Sequence, residues 1–470
     1  MMAGTPTRTQ ADGDDAAGSS SGASPPPGDN LSNGIIRRIF GNLGKLMGGK
    51  AVAGLLSLVY MIIAVRALGA HDYGVLILVH AYSVIVGGMI EFPGWHAVVR
   101  YGAQAIASGD RERLVRLLRL ASFVELACGV IAVATAALLA PFFGARLGWS
   151  PTALAFAVPY SFAVLATIRS APVGYLQLLG RFDLLGYHNL VAPTVRLLGA
   201  SIAYGAGAGL RGFLIAWLVA ALAEWGSMWL MGWIVARRAL PGHDLLGSAR
   251  GAVRENPGIR RFMIAANADA TFGELSQRIA PLMVGWVMGP AAAGLYAVGQ
   301  RGAVVIAQPA GNLGQAAYAE LARLIAAGGR GRDVRQVLMR IIAIAMAAAI
   351  PIVLLVAMFG TPLAVLIGGK PFAAAGVVML WLVAARAVLL VAPPASAALV
   401  ALGKPGLSVG GNMACALLLL PFLPLLMHRF GLSGAGFHAL LTSSAIAIVL
   451  GGLAWRESGS AGSIKRDAAA

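Results

Sequence analysis

Residues 60–76 read YMIIAVRALGAHDYGVL, and residues 280–296 read APLMVGWVMGPAAAGLY. Each stretch closes an apolar run on a glycine, adds a four-residue turn and a second glycine, and opens another apolar run. Gly69 and Gly74 are matched by Gly289 and Gly294, both pairs at one constant offset along the chain. Self-similarity at a fixed separation is the mark of a duplicated architecture. Glycine is abundant here, with 61 residues, so the pairing gains its weight from the pattern of apolar runs around it.

That pattern fills the chain. Of its 470 residues 58% are hydrophobic and 12% charged, about half the charged fraction of an ordinary soluble domain. Apolar runs of helix length recur almost to the end, which points to an all-α protein crossing the membrane many times. A β-barrel would alternate instead of running continuously. The formal charge of +17 falls between apolar runs, leaving no folded domain to present it to nucleic acid. It reads as topology signal and contact with anionic phospholipid. Cys128 and Cys415 sit singly in apolar runs and suggest neither a metal site nor a disulfide.

Residues 1–30, with a Ser/Gly run and Pro25–Pro27, are expected to form a disordered cytoplasmic tail. They lack the layout of a secretory signal. Residues 35–40 form a short basic amphipathic segment suited to the cytoplasmic membrane surface. The expected spans are 45–68, 73–95, 116–141, 152–178, 183–208, 213–236, 262–288, 293–318, 338–367, 373–400, 405–427 and 434–455. With the N-terminus inside, 24 basic residues fall on inside segments, among them Arg100–Arg119, Arg237–Arg261 and Arg323–Arg340. Only Arg66, Arg146, Arg211, Lys370 and Arg429 fall outside. That bias predicts about twelve transmembrane helices with both termini cytoplasmic. The domains expected are then a six-helix lobe over 31–236, a cytoplasmic linker over 237–261, a second six-helix lobe over 262–457 and a short tail over 458–470. Six spans per lobe relate the lobes by a pseudo-two-fold along the membrane normal.

Charge inside a span is costly and normally faces a cavity or a partner. Lys50, Arg169, Arg196, Arg278, Arg301 and Arg386 fall there, against Glu91, Glu125, Asp183, Glu224, Asp269 and Glu274. The seventh span is the densest, with Asn267, Asp269, Glu274, Gln277 and Arg278. Glu274 and Arg278 share a face in the favourable i,i+4 order, so this helix either lines a polar cavity with Arg278 offered to an anion or carries a self-neutralising pair. Arg196 sits deepest in its span. Arg301 lies in the eighth span, Gln177 in the fourth, and Lys50 early in the first, where it can snorkel. No phosphate-cradling loop, HExxH or CxxC occurs, and the seven histidines form no ligand cluster in sequence. No catalytic, cofactor-binding or metal residue is expected, and the chain does not read as an enzyme.

The turn Leu68-Gly69-Ala70-His71-Asp72-Tyr73-Gly74 and the later Tyr101-Gly102 resemble the opening of polysaccharide-export, Wzx-like flippases. These belong to the multidrug/oligosaccharidyl-lipid/polysaccharide (MOP) exporter superfamily. Gly289 through Gly294-Leu295-Tyr296, with Gln300 and Arg301, resembles the repeated form of that turn, and Tyr175-Leu176-Gln177 to Gly180-Arg181-Phe182 resembles the loop after the fourth helix. The resemblance runs over about residues 40–455. It implies a MATE-like pair of lobes that flips an undecaprenyl-diphosphate-linked glycan from the cytoplasmic to the periplasmic leaflet of the bacterial inner membrane by alternating access. No cofactor is expected; transport runs on a coupling-ion gradient, proton or sodium, or down the substrate's own gradient, and the partners expected are the polymerase and export proteins of the same pathway. Under it the substrate-binding candidates are Arg278, Arg196, Arg301, Lys50, Asp269, Glu274 and Gln177. A cation-coupled multidrug exporter of the same plan, which needs an acidic cavity, and a membrane glycosyltransferase or ligase, which needs long acidic loops, are the alternatives.

Overall fold

The computed structural model describes residues 27–91, 94–326 and 331–460, with side chains at 27–47, 264–278, most of 305–326 and 460 outside that description. Two compact units divide the chain. In Met1–Gly44, residues 27–44 are helical. The second, Lys45–Ala470, holds the spans and the candidate site.

All the regular structure among the described residues is helical. In order it comprises α1 (Pro27–Ile90), α2 (Trp95–Ala107), α3 (Arg111–Arg146), α4 (Pro151–Ala155), α5 (Ala157–Tyr160), a 3₁₀ turn (Ser161–Thr167), α6 (Ser170–Leu178), α7 (Phe182–Gly205), α8 (Gly209–Ala239) and α9 (Ala252–Glu255). Then follow α10 (Ile259–Met288), α11 (Pro290–Ala326), α12 (Gly331–Gly368), a 3₁₀ turn (Lys370–Phe372), α13 (Ala373–Leu389), α14 (Ala392–Ala401), α15 (Pro405–Leu419), α16 (Phe422–Phe430) and α17 (Leu432–Ser460).

The quoted repeat sets the geometry. Gly69 interrupts α1 with φ 68° and ψ −177°, and Gly289 separates α10 from α11 with φ 84° and ψ 175°. Only glycine adopts that conformation without a steric penalty, so the two copies make the same bend. The second glycines then meet. A Cβ on Gly74 would strike the carbonyl oxygen of Pro290, and one on Gly294 would strike that of Ala70, which holds the place of Pro290 in the first copy. Each hairpin therefore presses the same glycine against the same carbonyl of the other. A second reciprocal pair lies beside it. Arg66 donates to the carbonyls of Leu366 (2.7 Å) and Ile367 (3.3 Å), while Arg146 lies over the ring of Trp286, 5.6 Å from its centroid.

Packing follows the same division. The largest buried cluster joins both halves of the chain around these hairpins, with Tyr60, Leu78, Trp149 and Phe213 beside Val284, Tyr296, Phe372 and Met427. Toward the opposite helix ends the halves keep separate cores, one around Leu114, Tyr175 and Met228 and one around Leu321, Leu399 and Leu450. The halves share one core at one end; at the other they keep separate cores and touch where Ile259, Phe262 and Met263 at the start of α10 pack against Ala97, Tyr101 and Leu117. The segment between them is strapped to the first half. Arg116 pairs with Glu255 at 2.8 Å, Arg113 donates to Asn256 at 3.0 Å, and Tyr101 donates to the Pro257 carbonyl at 3.3 Å.

Length and composition alone give a smaller count than twelve. Six helical stretches among the described residues suffice to cross a membrane: Gly48–Ile90, Arg111–Arg146, Gly209–Ala239, Gly331–Gly368, Lys370–Ala401 and Leu432–Gly459. A seventh results if α15 and α16, bent by 46°, are one span. The difference has physical causes. Gly48–Ile90 is one run of 43 residues holding two expected spans; at about 1.5 Å per residue it is roughly twice as long as the ~30 Å hydrocarbon core. The expected 152–178 span is broken into α4, α5, a 3₁₀ turn and α6. In α7, Asp183, His188, Asn189 and Arg196 dilute the apolar run. Much of α10 and α11 lies outside the described side chains.

Candidate substrate-binding site

The deepest expected cation sits in the shared core. Arg196 lies on α7 one turn beyond Pro193, whose ring leaves the α7 ladder one donor short. Its guanidinium reaches across to both arms of α1. Nη1 donates to the Tyr60 hydroxyl at 3.4 Å and Nη2 to His80 Nε2 at 3.2 Å. His80 Nδ1 is in turn 3.1 Å from the Tyr160 hydroxyl at the end of α5. The guanidinium carbon also stands 5.9 Å from the Tyr60 ring centroid and 5.8 Å from that of Trp217 on α8, at the edge of cation–π range. Tyr60 and Trp217 pack edge to face at 5.3 Å. Nε of Arg196 is buried without a hydrogen-bond partner, and no carboxylate lies within ion-pair distance of this arginine among the described residues. A guanidinium has five N–H donors, so this one keeps unused capacity for an anion.

A cavity of about 290 Å³ opens where the halves meet, lined by Tyr73 and Ile77 of α1, Gln300, Arg301 and Val304 of α11, and Arg386 of α13. Arg301 is exposed and Arg386 half-buried. Tyr60 lies within electrostatic reach of both Arg196 and Arg301. The cavity is cation-rich, with Arg301 and Arg386 in its lining. Paired guanidinium donors suit a phosphate-bearing group.

A second polar cluster lies deeper in the first half. Arg169, at the break before α6, pairs with Glu224 on α8 and contacts His188 Nε2 on α7 at 2.9 Å. His188 Nδ1 is 3.2 Å from the Ser227 hydroxyl. Glu125 on α3 accepts the N–H groups of Ser170 and of Ala171 (2.6 Å), and Trp229 Nε1 donates to the Ile168 carbonyl at 2.8 Å. Each charge in this cluster meets an opposite charge or a backbone N–H.

Residues 63–375 match the family described as polysaccharide biosynthesis protein, two thirds of the chain. The chain belongs to that family. Inner membrane protein YghQ of Escherichia coli K12 is 27% identical to this polysaccharide biosynthesis protein over 298 residues, 63% of this chain and 83% of that one. Among solved structures, the lipid II flippase MurJ in an inward closed conformation matches with a TM-score of 0.65 at 12% identity, over 87% of this chain and 86% of that one. An inward-facing multidrug resistance MATE transporter of the MOP superfamily matches at 0.62 and 16% identity, over 87% and 94%. At such identities the likeness is one of fold. The chain shares the fold of these two proteins.

Of the residues expected to bind substrate, this polysaccharide biosynthesis protein brings Arg196 and Arg301 to the meeting of the halves. Lys50 is exposed on α1. Gln177 lies in the turn closing α6, where its own carbonyl accepts the N–H of Gly180 at 3.0 Å, beside Tyr175 and Leu176 of the separate first-half core. Arg278, Asp269 and Glu274 belong to α10, but their side chains lie outside the described residues. Sequence reasoning passed over Tyr60, His80, Tyr160 and Trp217, and noted Arg386 only as a charge in a span. Arg196 and His80 are separated by 116 positions in the chain, and no spacing rule connects them.

Proposed function

We propose that this polysaccharide biosynthesis protein flips an undecaprenyl-diphosphate-linked oligosaccharide from the cytoplasmic to the periplasmic leaflet of a bacterial inner membrane by alternating access. The observation that carries the reading is Arg196, a guanidinium beside Tyr60 and Trp217 in the shared core with no carboxylate within ion-pair distance among the described residues. Arg301 and Arg386 add positive charge from the other half. Paired, charge-assisted hydrogen bonds from arginine match a diphosphate. The prenyl tail stays in lipid, since each methylene taken out costs on the order of 0.8 kcal/mol.

The same reading takes the protein as about twelve spans in two six-helix lobes with a pseudo-two-fold along the membrane normal. The matched bends at Gly69 and Gly289 and the reciprocal approach of Gly74 and Gly294 support it. Both termini and the linker are cytoplasmic, so the shared core lies at the periplasmic end and the two separate cores lie toward the cytoplasm. Anionic phospholipids, the polymerase and export proteins are the partners. Arg278, with Asp269, Glu274, Lys50 and Gln177, stays in the proposed substrate path.

Arg196→Ala is expected to lower translocation of a radiolabelled lipid-linked oligosaccharide about tenfold to a hundredfold, the loss of a charged hydrogen-bond set, with protein abundance unchanged. Arg196→Lys is expected to retain part of it. Full translocation by Arg196→Ala would remove the carrying observation.

A further inference from the structure

The duplicated plan carries a crossed contact at the end where the halves share a core. Arg66, before the bend at Gly69, and Trp286, before the bend at Gly289, hold equivalent places in the repeat. Arg146 and Leu366 do so in the last turns of α3 and α12. The hairpin arm of each half meets the helix end of the other. Arg66 donates from Nη2 to the Leu366 carbonyl at 2.7 Å and from Nε to that of Ile367 at 3.3 Å. The last carbonyls of a helix lack acceptor partners within it and form the negative end of its dipole, so a cation suits them. In the other copy the cation stands on the helix end instead. Arg146 lies 5.6 Å from the ring centroid of Trp286 and 4.7 Å from that of Phe142 on its own helix. Each crossing is made by one guanidinium, and both guanidinia belong to the first half.

From this crossed pair we infer that Arg66 and Arg146 are the two arms of a latch: they hold the halves together at the shared end and let go when the cavity between the halves opens there. The inference rests on the alternating-access reading proposed above. Three features suit a contact that is made and broken. Both arginines are exposed, so water takes up their donors when the contact parts. That exchange costs far less than separating the Arg169–Glu224 pair within the fold. Between the hairpins, the closest approach is of glycine to backbone, Gly74 to the Pro290 carbonyl and Gly294 to that of Ala70; small residues allow such closeness, and they part without side chains to disentangle. Next to Arg66, Val65 is fully buried, and a Cβ on Gly368 of the other half would strike it. Release of the latch therefore uncovers Val65.

The test is the rate at which a water-soluble maleimide labels single cysteines in the purified full-length protein in detergent, with Cys128→Ala and Cys415→Ala as background. Val65→Cys reports beside the latch. Leu78→Cys reports from further along α1, where Leu78 is buried and a Cβ on Gly285 of the other half would strike it. Ala398→Cys reports from the second half's own core. When reclosing outpaces the reagent, the rate follows the open population. Arg66→Ala is expected to speed labelling of Val65→Cys and Leu78→Cys about tenfold, the scale of a charged hydrogen-bond set. Arg146→Ala is expected to speed it about threefold, and the two together by about the product, with Ala398→Cys unchanged. Unchanged rates in the double variant, a rise at Val65→Cys without one at Leu78→Cys, or an equal rise at Ala398→Cys overturns the latch. The first shows that nothing is held, the second that the effect is confined to a neighbouring side chain, the third that the fold itself has loosened. Translocation of the lipid-linked oligosaccharide by wild-type protein in liposomes is read separately. Its absence overturns the proposed function, whereas failure of the labelling pattern with translocation intact overturns the latch alone.

Discussion

The fourth helical stretch of each half is interrupted at the same place, and the two interruptions are built from opposite materials. In the first half the chain leaves helical geometry at Ile168 (φ −88°, ψ 74°) and Arg169 (φ −151°, ψ 17°). The freed groups are met by Glu125 and Trp229, and Arg169 is met by Glu224 and His188. In the second half the interruption comes at the equivalent positions, Leu390 and Val391, where the backbone stays right-handed and only tightens. Leu390 and Val391 donate to the carbonyls three positions back, at 3.1 and 3.3 Å, just ahead of Pro393 and Pro394, which have no N–H to give. Ala347 and Val391 follow Glu125 and Arg169 at one common offset. The starts of α7 and α15 are separated by as much chain as those of α8 and α17, which sets Gly411 opposite His188 and Ala447 opposite Glu224. The fold can thus interrupt this helix with apolar residues alone. The buried charge of the first half is therefore not required by the topology of the interruption.

Perturbing the two interruptions should give unequal losses. Arg169→Ala leaves Glu224 without its partner in a low-dielectric setting. It is expected to cost about 3–5 kcal/mol of unfolding free energy in mixed detergent–SDS micelles, with Arg169→Ala/Glu224→Ala recovering most of it. A double variant no more stable than the single would show that Arg169 acts through something other than this pair. Glu125→Ala strips the acceptor from two backbone N–H groups and should cost about 2–4 kcal/mol by the same measurement. Trp229→Phe, which removes one donor from the Ile168 carbonyl but keeps most of the ring's bulk, should cost about 1 kcal/mol. In the second half, Pro393→Ala with Pro394→Ala should change stability by less than about 1 kcal/mol, since no charge depends on that turn. If the proline variant proved as damaging as Glu125→Ala, the contrast between the halves would collapse.

The comparison also shows what could be read early. The repeat was legible because glycine marks conformations no other residue takes, and Gly69, Gly74, Gly289 and Gly294 stand at fixed separations. The long apolar runs likewise announced helices in a membrane, as composition must when every backbone group has to be satisfied within the segment. The number of separate helices was less legible. Whether 48–90 is one helix or two depends on a single pair of dihedrals at Gly69. Whether 151–178 is continuous depends on Glu125, far upstream on α3, arriving to cap a new helix start.

Residue types and their periodicity determined by themselves that this chain is helical, lies in a membrane, is duplicated and carries more positive than negative charge between its spans. Those are properties of short windows and of sums. Only the tertiary structure decided which charges are balanced. Arg169 and Arg196 are both single arginines in apolar runs, and nothing local separates them. One meets Glu224 from another helix and the other meets Tyr60, His80 and Trp217 instead. An ion pair is a relation across space between residues far apart in the chain, so its presence at Arg169, and its absence at Arg196 among the described residues, could be settled only by the packing of α7 and α8 against α1 and the start of α6.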